Sequence, residues 1–335
     1  MSCVQLSDAQ KKKNIYKHTA SKRSKAMEFS HIMRNTKFDL TRKNVDCSIK
    51  YIYLVGGLKT NIFFGEFVSG GEKYDGDVWK VVPSLLIPRF YHDIEVYDGF
   101  LYAVGGYDSN DVSMNNVEKY DGTTWSTAPS MVKPRVSHAV ATYNGMLYAI
   151  GGNHIINAES VERYDGQNWA YSIPLPIAHY PNKLIDHDIA VYNNLLYVVG
   201  GTYGFGILNT VTKFDGVSWS VGPHLLIPRM NHAMAVYNGS LYASGGLTGS
   251  NVSINSVERL NSNDVWEYVQ PMTTTRHAHN LVVYKGLLYA LGGFRIDSNT
   301  PLQSVEVFNG STWKILDGKD IPTAMLYTRG AIYNK

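Results

Sequence analysis

Six copies of one phrase, an apolar run closing on two glycines, organise this chain: YLVGG, YAVGG, YAIGG, YVVGG, YASGG and YALGG, ending at Gly57, Gly106, Gly152, Gly201, Gly246 and Gly293. The spacings are 49, 46, 49, 45 and 47 residues, a period that belongs to propellers and solenoids. Length alone, 335 residues, allows one large domain or two. The repetition decides for one repeated architecture.

The order within each unit is constant. An apolar run into the glycines is followed by a variable stretch, a short strand such as VEKY, an Asp-Gly turn, a Trp, a loop with Pro, then Arg and His. No segment keeps a helical period, so each unit reads as four short strands. In YDGTTW, Gly tolerates positive φ and Asp bonds its own backbone, which makes a tight hairpin. Trp79, Trp125, Trp169, Trp219, Trp266 and Trp313 follow that turn and are expected to bury their rings between neighbouring sheets. The double glycine marks a place where backbones crowd or φ turns positive.

Charge separates the first 50 residues from the rest. They hold 12 Lys and Arg against 4 Asp and Glu, and the remainder holds 19 against 24. The two cysteines, Cys3 and Cys47, lie in or beside this basic stretch, which excludes a disulfide framework from the repeats and fits a reducing compartment. KKK at Lys11 to Lys13 precedes no apolar run, so neither a signal peptide nor a membrane span is read. A cytoplasmic location is expected, with KKKNIYKH and SKRSK as an alternative nuclear address or a simply solvated, disordered tail. AMEFSHIMRNTKF is long enough for one helix but too short for a domain.

The order of double glycine, Tyr, turn and Trp, kept over six copies, resembles the kelch repeat. The resemblance implies an all-β fold, a six-bladed kelch β-propeller over residues 49–335, after a basic tail over 1–48. Residues 329–334, RGAIYNK without its last residue, resemble the inner strand that the first repeat lacks. They are expected to complete the sheet begun at residue 51 and so close the ring.

His92, His138, His187, His232 and His279 each lie 13 residues before a double glycine, so a structural, hydrogen-bonding role is expected rather than a metal ring. No carboxylate or cysteine joins them at ligand spacing. Arg89, Arg135, Arg229 and Arg276 recur three residues ahead of four of them and are read as scaffold, with attraction of an acidic ligand as the alternative. Specificity must then reside where the copies differ. The stretches after the glycines carry Phe63, Phe64, Phe67, Ile155, Ile156, Tyr203, Phe205 and Phe294, either as a contact surface or packed on their own blades.

In kelch domains that capture peptides, the residue after the double glycine and those after the motif Arg face a shared pocket. That resemblance implies a ligand-binding set of Tyr107, Asn153, Thr202, Phe294, Phe90, Tyr91, Ser137, Met230, Asn231 and His277, to which the aromatic loop adds Tyr203 and Phe205. Leu58, Leu247, Val136 and Ala278 occupy matching positions. The fourth repeat departs from the pattern, placing AYSIPLPIAHYPNKLID between Trp169 and His187 with no Arg in the motif place.

Three functions follow. The leading expectation is a non-enzymatic module that binds a protein or peptide on the loop face, as BTB-Kelch ligase adaptors do, although the tail has no room for a BTB domain. The alternative is a sugar enzyme resembling the sialate mutarotases, which use this fold; a copper oxidase resembling galactose oxidase is excluded because the propeller has no cysteine. The third is actin association. No catalytic residue, cofactor, metal, nucleic acid or membrane partner is expected.

Overall fold

The computed structural model describes residues 50–59, 66–153, 161–176, 184–204 and 206–334, all within a compact unit spanning Ile49–Lys335. The described residues form six four-stranded antiparallel sheets, the blades of a propeller. Blade 1 combines the last strand of the chain, Arg329–Asn334, with Lys50–Val55, Gly71–Tyr74 and Trp79–Val82. Blades 2 and 3 begin at Asp93–Tyr97 and Ala139–Tyr143, blades 4, 5 and 6 at Asp188–Tyr192, Ala233–Tyr237 and Asn280–Tyr284. These first strands lie side by side, and Arg329–Asn334 neighbours both Asn280–Tyr284 and Asp93–Tyr97. Its pairing with Lys50–Val55 runs from Lys50 opposite Asn334 to Val55 opposite Arg329, so the two ends of the chain share one sheet.

The repeated residues are joints. In each hairpin an Asp or Asn carboxyl or amide oxygen takes up the next backbone N–H groups; Asp121 Oδ1 accepts from Thr123 at 2.7 Å and Thr124 at 2.8 Å. Each Trp indole then donates to the loop leaving the preceding blade: Trp125 to Pro83 O at 3.0 Å, Trp169 to Pro129 O at 2.9 Å, and Trp79 of blade 1 to Lys319 O at 2.9 Å. The indole thus buries apolar area and satisfies its one donor.

The double glycine is wedged between two such loops. A Cβ on Gly105 would stand 2.6 Å from Arg135 O and 2.9 Å from His138 Cε1 of the next blade. One on Gly106 would stand 2.7 Å from Phe90 O and 2.8 Å from His92 Cβ of its own blade. Both glycines have positive φ, 59° and 94°, so space and conformation alike exclude a side chain.

Beneath the glycines lies a buried ion pair. Arg135, fully buried, pairs with Glu162 at 2.9 Å and donates to Gly151 O at 2.6 Å. Glu162 also accepts the backbone N–H of Val132 at 2.6 Å. The pattern repeats in Arg89 with Glu118, Arg229 with Glu258 and Arg276 with Glu306, each at 2.6 Å. The arginines are therefore scaffold, their terminal nitrogens bonded within the sheet while Nε of Arg89, Arg229 and Arg276 is buried without a partner. The histidines are packed more than hydrogen-bonded: only His279 has a side-chain partner of good geometry, Ser244 Oγ at 2.9 Å. Burial holds His92, His138 and His232 neutral, well below the usual imidazole range.

Two blades break the pair, in different ways. Blade 4 has Leu184 and Thr212 in the two places, and neither charge is present. Blade 1 has Met325 in the arginine place but keeps Glu72. Glu72 is buried, its Oε1 accepting from Thr323 Oγ1 at 2.9 Å and its Oε2 unpartnered, and burial raises its pKa.

Removing one member of a buried pair typically costs about 3–5 kcal/mol. Arg135→Leu alone is expected to lose about that much in denaturant unfolding, whereas Arg135→Leu with Glu162→Thr, copying blade 4, recovers most of it; equal losses in both variants would refute the coupling. For Glu72 the raised native pKa means that stability is present below the unfolded carboxyl range and lost as pH rises through the native value. Glu72→Gln is therefore expected to raise Tm by about 1–3 °C at neutral pH, with the gain vanishing in acid.

Candidate functional site

The residue after each double glycine bridges to the residue after the motif arginine. The pairs are Tyr107 with Phe90, Asn153 with Val136, Leu247 with Met230 and Phe294 with His277, with Leu58 opposite Leu326 and Thr202 opposite Ile185. One residue further on, every blade places a non-glycine residue in the left-handed region: Tyr91, Ser137, Asp186, Asn231, Ala278 and Tyr327, with φ between 50° and 57°. Five of these backbones, from Tyr91 to Ala278, are strung together. Ser137 N–H donates to Tyr91 O at 2.9 Å, Asp186 to Ser137 O at 3.1 Å, Asn231 to Asp186 O at 2.8 Å and Ala278 to Asn231 O at 2.7 Å. Left-handed backbone costs such residues about 1–2 kcal/mol each. The hoop holds them there, two residues ahead of the inner strands.

Inside the hoop is a cavity of about 480 Å³, lined by Tyr91, Asp186, Met230, Asn231, His277, Phe294 and their neighbours Leu247, Asn251, Ile296, Asn299, Leu326 and Tyr327. Tyr91 and Tyr327 pack with ring centroids 4.1 Å apart. Burial raises the Asp186 carboxyl, with Ser137 and Asn231 side chains and the charge of Arg329 opposing it. Burial also pushes His277 down to about 4. The site therefore brings a carboxyl that holds its proton unusually well to the same cavity as a neutral imidazole. The arrangement suits proton transfer in a place lined by amides and aromatic rings.

Below the cavity, all six inner strands surround a central channel lined by Asp93, Glu95, Asp188, Asn280 and Arg329, among others. Asp93 and Asp188 bridge to the next blade, accepting from Val140 N and Met234 N at 2.7 Å each. Burial and then Asp93 raise Asp188 to about 7 and Glu95 to about 8.

The sequence-derived set divides. Tyr91, Met230, Asn231, His277 and Phe294 line the cavity, and Ser137 belongs to the hoop. Phe90 and Tyr107 instead pack with Phe67 on blades 1 and 2, with centroids 5.1 Å and 5.3 Å from Phe90. Thr202 Oγ1 donates to Gly206 O at 3.0 Å, and Asn153 and Tyr203 are held in their loop pairings. Phe205, Phe63, Phe64, Ile155 and Ile156 lie outside the described residues, as does the tail. Asp186 and Tyr327 were missed because counting from the motif arginine skips blades 4 and 1, which have none. Counting back one residue from the motif histidine finds Asp186.

Among the described residues no group of three His, Cys, Asp or Glu is placed to hold a metal, and no helix is long and apolar enough to cross a membrane. The Kelch motif matches residues 88–132, 228–273 and 275–317. Those three repeats are kelch motifs, and the fold is that of a kelch-type propeller. Kelch propellers generally mediate protein interactions. The solved structure titled "Structure of YjhT" is similar at a TM-score of 0.65 and 14% identity, over 79% of this chain and 97% of that one. No curated protein matches the sequence.

The expectation of a non-enzymatic interaction module is corrected here. Against it stands the likeness of fold to YjhT, at 14% identity. The chemistry of the cavity points the same way. A binding face needs shape and hydrogen bonds, whereas a carboxyl of raised pKa lining the same cavity as a neutral imidazole is a proton-transfer arrangement.

The sign of the Asp186 shift gives a test. A raised native pKa makes the carboxylate cost stability as pH rises above the ordinary carboxyl range. Asp186→Asn is expected to melt higher than wild type at neutral pH and to converge with it in acid; parallel Tm profiles would refute a perturbed Asp186.

Proposed function

We propose that this propeller is a sugar-binding enzyme of the sialate mutarotase type, interconverting the anomers of a reducing sugar in the hoop cavity. The observation that carries the reading is the placement of Asp186 and His277 in the wall of one cavity. The fold likeness to YjhT supports it.

Anomer interconversion removes a proton from the anomeric hydroxyl and delivers one to the ring oxygen. The ring C–O bond breaks, the carbonyl turns over, and the reverse steps close the ring. A carboxyl with a raised pKa serves as both donor and acceptor. Asp186 is assigned that role, with the amides of Asn231, Asn251 and Asn299 for sugar hydroxyls and the rings of Tyr91, Tyr327 and Phe294 for a sugar face. The ligase-adaptor and actin-association roles, which depended on the non-enzymatic reading, are set aside with it.

The test is magnetisation exchange between the anomers of N-acetylneuraminate and of neutral pyranoses by NMR. Wild type is expected to accelerate exchange for at least one sugar, and Asp186→Asn to lose about 100-fold or more of that rate. Background exchange with every sugar would overturn the proposal.

A further inference from the structure

The position after the motif arginine is apolar in five blades, as Phe90, Val136, Ile185, Met230 and Leu326, and ionisable only in blade 6, as His277. That imidazole is buried, stands edge-on to Phe294 at 5.5 Å and 86°, and lines the cavity. Its Nδ1 lies 2.9 Å from the hydroxyl of Ser253, a buried residue on a turn of blade 5. The same hydroxyl accepts the backbone N–H of Ile296 at 3.1 Å.

A serine hydroxyl has one proton to give and two lone pairs. With one lone pair engaged by Ile296, turning the proton to the ring satisfies the imidazole as an acceptor. A neutral imidazole that accepts at Nδ1 carries its hydrogen at Nε2. Burial keeps the ring neutral, against a smaller opposing hydrogen bond to the Phe294 backbone. No other blade has this pair, because the residue in the His277 place is apolar in each.

We propose that Ser253 fixes His277 as an Nε2–H donor in the cavity wall, and that this donor recognises an oxygen acceptor, a hydroxyl or ring oxygen, of the bound sugar. The ligand half rests on the sugar-enzyme reading; the tautomer half does not. Ser253 is a positioning residue, acting through the ring it orients. A neutral donor selects for oxygen at that point of the ligand and offers nothing to an ammonium group.

The experiment is long-range ¹⁵N–¹H correlation of the histidines in the full chain, which separates the two neutral tautomers by their nitrogen shifts. His277 is expected as the Nε2–H form in wild type, as a mixture in Ser253→Ala, and as Nε2–H again in Ser253→Thr. A wild-type Nδ1–H ring overturns the proposal without any need for a variant to fold. With the sugar that exchanges fastest, Ser253→Ala is expected to raise KM about tenfold, the loss of roughly one hydrogen bond, with Ser253→Thr restoring it. An unchanged KM beside a changed tautomer overturns the ligand half. Absence of exchange with any sugar overturns the function reading and that half together, and the tautomer result stands apart.

Discussion

Everything in this propeller depends on the backbone contact at the double glycine. In five blades the first glycine lies against a loop carbonyl and the imidazole of the next, the carbonyl being an arginine's in four, and the second glycine lies against the loop entering its own blade. No side chain fits at either. The buried Arg–Glu pair then ties that loop to the third strand, and the Trp indole ties the hairpin to the blade before. A blade is thus defined by its joints to two neighbours, and the apolar clusters between sheets fill the space those joints set. Hydrophobic area supplies most of the stabilisation, while polar groups fix the spacing.

Much of this was legible because each joint needs a particular residue. Glycine is required at Gly105 and Gly106 by contact and by φ, so it recurs. Asp or Asn is required at the hairpin, as at Asp121 and Asn309, because only a short side chain with an acceptor reaches the following N–H groups. The pairing of Arg135 with Glu162 was not legible. The two residues are 27 apart and meet only because the sheet folds back, and nothing in the spacing of VERY distinguishes a buried glutamate from a solvated one. The histidines were read as hydrogen-bonded groups; His279 is one, to Ser244, and the imidazoles also pack as wedges against the first glycines.

The candidate site was half legible for a related reason. Counting from a repeated residue finds equivalent positions only where that residue is present, and the blades that lost the arginine contribute Asp186 and Tyr327 to the cavity. Phe90 and Tyr107 have the same sequence positions as Met230 and Phe294, but their large rings turn toward Phe67 and one another. Whether a ring faces a cavity or a neighbour depends on what the adjoining blade offers, and a single repeat does not carry that information.

The broken pairs of blades 1 and 4 bear on how such a chain can diverge. A glutamate stranded by loss of its arginine can discharge itself by binding a proton, as the raised pKa of Glu72 indicates. A guanidinium stranded by loss of its glutamate cannot, because it stays charged at any ordinary pH. The two one-step routes out of the pair are therefore unequal, and the path through the lone acid is the shallower. Blade 1, with Met325 and Glu72, has the residues of the intermediate on that path, and blade 4, with Leu184 and Thr212, those of its end.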